Sequence, residues 1–562
     1  EQFAASVSRQ EWFADSLPVL FPNLGPEVLA SLFGADIEYS EDSGWSAPCP
    51  ACPGSALCFF GRGPALLSPR GIRRVFPGKA PAMNTEVLYQ TRLRRYLTAL
   101  RNEQPDCIPI RPFVAEFVAR HAGFTCQQVV HDYRLAFEAT LRCARDFDWD
   151  AVVPNMVYVW TGLTQAAGLR YYGIPGIGMP PNVGFNYIEP PEDQAFMRAD
   201  EYDALIADPT GFLYDVWLPR VSTEIVRPGQ PATRRSHLAL VKSAMAMMEY
   251  FTAFGPQCAR LRQECGTVSA IAGIFKAPLD ILADKLRGYV GLVMDLHQQP
   301  RQVLRACEAL MPHLTHVGLT TADPARQVPI GFWMHRGCVP FISPQHFASH
   351  YWPTLRPCIE EFWRHGHQTL FYAEGKWDHH LDDFATLPER SIVFHVDQGD
   401  LWLAHRKLHA KFALSGGVPN VLLSYGTPEE LEDLLRKIFA EVARDGGYIL
   451  DAGAIMQDDT NPENLKFLTR FAREHGVYCG RSYSEAALSE PPRRPCDGAD
   501  PSGLRGLQGH SVVGPAPGTC LSWEVKRAEL PELSGDLELL ERVWKQVDTH
   551  GYTYIWQLLL SF

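Results

Sequence analysis

The stretch 411–454, "KFALSGGVPNVLLSYGTPEELEDLLRKIFAEVARDGGYILDAGA", decides the fold. It opens on "KFALSGGV" (411–418) and closes on "GYILDAGA" (447–454), with a strongly signalled helix between them. Thr427-Pro428-Glu429-Glu430 supplies an N-cap, a proline at the first helical position and a capping-box glutamate. Leu431, Leu434, Leu435, Ile438, Phe439 and Val442 follow at helical spacing, and Gly446-Gly447 ends the helix. The flanking runs are continuously apolar, as strands covered on both faces are. The same texture recurs upstream in "CIPIRPF" (107–113), "AVVPNM" (151–156), "TVSAIAGI" (267–274), "HVGLT" (316–320), "PIGFWMH" (329–335), "TLFYAE" (369–374) and "IVFHVD" (392–397). Strands alternating with helices over this length predict an α/β fold, a (β/α)8 TIM barrel; a doubly wound open sheet is the alternative.

In such a barrel, chemistry gathers where the strands end. The polar residues at those ends are Arg111, Asn155, His335, Glu374, His395 with Asp397, Ser415 and Asp451. His395 and Asp397 are two apart on a strand and share a face, so they serve catalysis or ligation together, or form a hydrogen-bonded pair at a strand terminus. Glu374 is either a pocket acid or a solvated loop residue. Arg336, beside His335, suits an anion. Arg111, between Ile110 and Pro112, must find either a ligand carboxylate or phosphate, or an internal partner, because an unpaired buried charge is costly. Asn155 to Trp160 reads as an aromatic pocket wall or as core. Met245, Met247 and Met248 read as helix core and partner surface.

The 562 residues carry a formal net charge of −12, which argues against a nucleic-acid surface. No apolar run approaches the ~20 residues of a membrane span, and the N-terminus has no signal-peptide pattern. The 14 scattered cysteines read as reduced thiols of a cytoplasmic protein. Cys49, Cys52 and Cys58 fall one ligand short of a structural zinc site. The expected organisation is an N-terminal extension (1–48), a linker (49–82), the barrel (83–480), a second linker (481–520) and a C-terminal helical extension (521–562). The last ends in an apolar tail that must dock or pair.

The motif order resembles the uroporphyrinogen decarboxylase superfamily over about residues 84–478. The carriers are Ser415-Gly416-Gly417, Gly426-Thr427-Pro428-Glu429-Glu430, Gly446-Gly447 and Pro462-Glu463-Asn464, with "ISPQHFASHYWPTLRPCIEEF" (342–362) and "PDCIPIRPF" (105–113) upstream. The resemblance implies a (β/α)8 barrel and one of two chemistries: cofactor-free decarboxylation of uroporphyrinogen in porphyrin biosynthesis, or methyl transfer involving a corrinoid or thiol, commonly with zinc. This chain departs from both patterns. Of the two decarboxylase arginines, Arg111 matches and the second position is Ala115; the essential aspartate falls near Asn155 or Met156, and the late histidine falls on Gly453. Of the methyltransferase ligands, His395 remains, while Asp397 and Gly453 stand where cysteines would be.

The resemblance therefore implies corrinoid-linked methyl transfer, with His395, Asp397 and Glu374 as catalytic residues or as ligands of a divalent metal such as zinc. Arg111, Asn155, Trp160, His335, Arg336, Ser415 and Asp451 would bind substrate. The alternatives are a decarboxylase with altered anchoring and no cofactor, and a non-catalytic tetrapyrrole- or corrinoid-binding protein. The expected partners are a small-molecule methyl donor or a tetrapyrrole, a corrinoid protein and a second copy in a homodimer, with no nucleic acid and no membrane.

Overall fold

The computed structural model describes residues 36–39, 44–47, 84–153, 161–188, 190–507 and 514–561. It divides into a unit of residues 1–80 and a unit of residues 81–562. In the first, Asp36–Tyr39 and Gly44–Ala47 pair as an antiparallel hairpin. The cysteines at 49, 52 and 58, the expected linker over 49–82 and most of the expected extension over 1–48 lie outside the described residues.

The second unit is built on short parallel strands: β1 (Ala151–Val152), β2 (Val268–Ser269), β3 (Ile274–Phe275), β4 (Ile330–Met334), β5 (Thr369–Ala373), β6 (Ile392–Val396), β7 (Ala413–Gly416) and β8 (Tyr448–Ile449). The strands β3 to β8 form one six-stranded sheet in sequence order, and β1 pairs with β2. Backbone bonds continue the succession past both edges. Arg111 N–H donates to Leu450 O and Leu450 N–H to Pro109 O, while Asp150 and Ala151 N–H both donate to Ile110 O. Val268 N–H donates to Asp150 O, and Ala272 N–H to Pro329 O. With the segment around Ile110 counted first and β2 and β3 taken as two pieces of one interrupted strand, this is the eight-strand order of a (β/α)8 barrel.

Side-chain alternation divides the strands into two faces. Ile330, Phe332 and Met334 of β4, and Ile392, Phe394 and Val396 of β6, pack into the large core under the helices. Trp333, Leu370, Tyr372, Val393, Ala413 and Ile449 join a second, inner core with Phe113, Ala151, Val268 and Ala270. Helix α1 (Thr85–Leu100) contributes Leu93, Tyr96, Leu97 and Leu100 to that inner core, and Tyr96 OH donates to Ala270 O at 3.1 Å. The lumen is therefore packed from the N-terminal side, and room for a ligand is left at the opposite rim.

Between β1 and β2 the chain carries an insertion that includes helix α2 (Arg234–Thr252). "HVGLT", expected as a strand, lies instead in α3 (Pro300–Thr321). Its apolar residues continue the helical series Val303, Ala306, Leu310, Leu314, Val317, and a run of five residues alone does not distinguish strand from helix. The helix α4 (Pro428–Glu441) has the expected capping box, with Thr427 and Glu430 bonding reciprocally, and α5 (Pro462–His475) follows β8.

The segment expected as a second linker is, where described, fastened to the barrel. Leu507 N–H donates to Glu361, and Arg94 and Arg390 donate to the carbonyls of Glu490 and Asp497. The C-terminal helix α6 (Leu537–Ser561) docks its apolar end: Ile555, Trp556, Leu558 and Leu559 are buried, and Trp556 Nε1 donates to Thr210 at 3.1 Å. Among the described residues no helix is long and apolar enough to cross a membrane.

Candidate functional site

Inside the upper lumen, four residues far apart in sequence meet. Arg111 follows the Ile110 bridge, His395 lies on β6, Ser415 on β7 and Asp451 just past β8; all are buried. Arg111 Nη2 donates to Ser415 Oγ at 2.9 Å and lies 3.3 Å from Asp451 Oδ2, while Phe113 N–H donates to Asp451 Oδ1 at 3.3 Å. His395 Nδ1 is 2.9 Å from Ser415 Oγ, and its Nε2 is 2.7 Å from Gly453 O.

Donor logic fixes the protons. A carbonyl only accepts, so Nε2 carries the hydrogen, and Nδ1 accepts the Ser415 hydroxyl proton, whose oxygen in turn accepts from Arg111. The neutral imidazole is thus fully bonded, and its ring stacks on Tyr372 at 4.3 Å. Burial, with the Arg111 cation adding to it, holds His395 far below the usual imidazole range. Burial also pushes the Asp451 carboxyl up to about 7 against the opposing pull of Arg111.

Asp397 stands one step above, where β6 ends. Its Oδ2 accepts the Gly375 N–H at 2.8 Å, and burial, with a smaller contribution from the Glu374 charge, pushes its carboxyl up to about 6. It borders a cleft of about 740 Å³ at the ends of β6, β7 and β8, whose walls include Gln398, Asp400, Trp402, Asn420 and Ala454. Asp400 caps the helix Leu401–Leu408 through the Trp402 and Leu403 N–H groups. Asn420 pins the loop after β8, donating to Ile455 O and accepting from Ala454 N–H. Among the described residues none of those that line this cleft is cationic, and the nearest cation to its wall that the contacts show is Lys437, whose Nζ lies 4.2 Å from the centre of the Trp402 ring.

Across the mouth, at the ends of β3 and β4, a second cluster has formed. Asp284 accepts from Lys276 Nζ at 2.9 Å, from Arg336 Nε at 2.7 Å and from His335 Nε2 at 2.9 Å. Asp280 Oδ1 takes the backbone N–H groups of His335 and Arg336, and its Oδ2 takes the Tyr351 hydroxyl. Burial opposes the charge on both Asp284 and His335, yet their mutual attraction wins, so Asp284 lies well below the carboxylate range and His335 above the imidazole range. Glu374, exposed at the end of β5, lies between the two clusters, and its charge is felt by both His335 and Asp397.

Several expected roles change in this geometry. Arg111 meets Asp451 and Ser415 through Nη2, while its buried Nε and Nη1 have no hydrogen-bond partner. Ser415 and Asp451 are its partners and do not face the cleft. His335 and Arg336 are committed to Asp284. The expected donor set of His395, Asp397 and Glu374 does not assemble. Among the described residues, the only three such ligands within 4.8 Å of one another are Asp280, Asp284 and His335. Neither set fits a metal: His395 has no free lone pair, and the oxygens of Asp280 and Asp284 already accept bonds from cations, N–H groups and a hydroxyl. Asn155 and Trp160 lie outside the described residues.

Lys276, Asp280 and Asp284 do not stand out in the sequence as site residues. The two aspartates are four apart in "PLDILADKL" (278–286), one face of a helical turn, directly after a strand.

Gly453 explains the departure at the position of the family's last cysteine or histidine. A Cβ there would sit 2.9 Å from Asp397 O and 3.4 Å from its Cα, both parts of the backbone. Restoring a side chain by Gly453→Cys is expected to lower stability by about 1–3 kcal/mol, measured by denaturant unfolding, because the β6 terminus must move.

Residues 221–475 match the model of the uroporphyrinogen decarboxylase (URO-D) family. No curated protein matches the chain. Among solved structures, a methyltransferase from Methanosarcina mazei is similar at 16% identity and a TM-score of 0.44, covering 69% of this chain and 98% of that one. The matched residues carry seven of the eight named parallel strands, β2 to β8, and end with α5, and this part of the chain is similar to the uroporphyrinogen decarboxylase family.

Proposed function

We propose that this enzyme transfers a methyl group from a methylated corrinoid to a small protic acceptor in the cleft beside Asp397. The charge of the cleft carries this reading. A porphyrinogen with eight carboxylates needs converging cations. The lining here offers the carboxylates of Asp397 and Asp400, the amides of Gln398 and Asn420, and the Trp402 ring. The periphery of a corrinoid is largely uncharged carboxamide, which such walls accommodate without unpaired charge.

Asp397 is the general base in this scheme. The carboxylate takes the proton from the acceptor's X–H, the X lone pair forms the bond to the methyl carbon, and the departing corrinoid keeps the electron pair of the broken bond. A carboxyl near 6 is largely ionised at neutral pH, yet basic enough to hold the proton. His395, neutral and fully bonded, positions the strand end that carries Asp397 through Gly453. The site uses no divalent metal in this reading.

The test is anaerobic incubation of the full chain with methylcobalamin and a thiol, followed by the corrinoid spectrum, in parallel with uroporphyrinogen III. Demethylation without coproporphyrinogen is expected. Coproporphyrinogen formation with an unchanged corrinoid spectrum would replace this reading with decarboxylation.

A further inference from the structure

Helix α2 carries an apolar row on its outer face. Ser236, Ala239, Ser243, Met247 and Tyr250 are its buried side, and Ser243 shares a 2.8 Å hydrogen bond with Tyr554 of α6, so the inner face is committed. On the outer face Leu238, Val241, Met245 and Met248 are 45, 55, 61 and 67% exposed. Arg234 precedes them by one turn, and steps of four, three, four and three residues keep all five in one row about 20 Å long. Scattered apolar residues on a surface need no explanation, whereas an aligned row does.

The charges around this row are of one sign. From Ile225 to Met248 the chain holds Arg227, Arg234, Arg235 and Lys242 and no acid, although the whole sequence has 64 acidic against 52 basic residues. The acids that bracket the stretch are already neutralised. Glu224 is paired with Arg235, and Glu249 accepts from Arg134 at 2.8 Å and from the Tyr133 hydroxyl at 2.9 Å. Arg227, Arg234 and Lys242 are exposed and have no acidic partner among the described residues. Lys242 lies four residues past Leu238 and three before Met245, so it borders the row.

We propose that the outer face of α2 docks on an anionic lipid bilayer, with the helix lying in the plane of the headgroups. The four apolar side chains enter the acyl boundary, while Arg234 and Lys242 reach the headgroup phosphates on their aliphatic stems. Anionic lipid supplies the negative charge that this face lacks. A fluid leaflet also conforms to a ridge of protruding side chains, where a protein partner would need a matching groove. Attachment is peripheral, since no described helix is long and apolar enough to cross a membrane. None of these residues lines the cleft, so the inference stands apart from the reaction proposed there.

Flotation of the full chain with lipid vesicles tests it. The wild type is expected to float with vesicles of phosphatidylcholine containing about one-third phosphatidylserine, to stay behind with phosphatidylcholine alone, and to be released by salt at about 0.5 M. R234E/K242E is expected to weaken binding by about 30-fold and M245S/M248S by about tenfold, each with unchanged circular dichroism and thermal midpoint. That unchanged fold separates lost docking from lost folding. No flotation with the anionic vesicles would overturn the inference and leave the face to a protein partner. So would equal binding to both kinds of vesicle, or binding that both variants retain.

Discussion

Asp397→Asn is expected to reduce the rate of methyl transfer by about 10²–10⁴-fold, the usual contribution of a positioned proton acceptor. The substitution preserves shape and can still accept from Gly375 N–H, so the thermal midpoint should remain close to that of the wild type. The pH profile separates a catalytic effect from a structural one. Burial raises the carboxyl to about 6, and only the ionised form accepts a proton, so wild-type activity should rise through a midpoint near pH 6 and then level off. The residual activity of the variant should lack that limb. His395 adds no second limb, since burial keeps it neutral throughout. A variant of wild-type rate, or one that keeps the ascending limb, would remove Asp397 from the reaction.

The second large effect lies at the other end of the barrel. Asp150 is buried just before β1, and its carboxylate faces Arg95 at 2.5 Å, Arg473 of α5 at 2.9 Å and Arg92 of α1 at 3.8 Å. Its Oδ2 also accepts the Ile110 N–H at 2.7 Å. One carboxylate thereby ties together helix α1, helix α5 and two adjacent extended segments.

Asp150→Asn leaves these guanidiniums short of a counter-charge and is expected to cost about 3–5 kcal/mol. For a unit of this size that lowers the thermal midpoint by about 3–5 °C. Burial opposes ionisation of Asp150, but the three arginines outweigh it and hold the folded-state carboxyl far below the usual range. A depressed value means that the stabilisation is present above the unfolded value of about 4 and is lost as pH falls below it. The difference between wild type and variant should therefore be full at pH 7 and shrink below pH ~4. A difference that is independent of pH would assign the loss to packing.

The legible parts of this molecule were those governed by short-range rules. Thr427-Pro428-Glu429-Glu430 specifies a helix start locally, and the continuous apolar runs of β4 to β8 report burial on both faces whatever covers them. "HVGLT" misled because its helical phase is set by residues up to thirteen positions earlier.

In the site, the sequence identified the polar residues at strand ends but not their partners. The bond between Arg111 and Ser415 spans 304 residues, and nothing near either of them announces it. His395 looks like a ligand in sequence because its chemistry permits ligation. Only the positions of Ser415 and Gly453 show that both nitrogens are taken. Asp284 sat within an apolar helix pattern and drew no notice until Lys276, His335 and Arg336 closed around it.

The cleft at the ends of β6, β7 and β8 is expected to accept an uncharged corrin periphery and to reject a polyanionic ring. Calorimetric titration of the full chain with methylcobalamin and, separately, with uroporphyrin tests it most directly. Saturable binding of methylcobalamin, weakened by Trp402→Ala, with no heat from uroporphyrin, is the predicted result. Tight binding of uroporphyrin that Trp402→Ala leaves unchanged would contradict it.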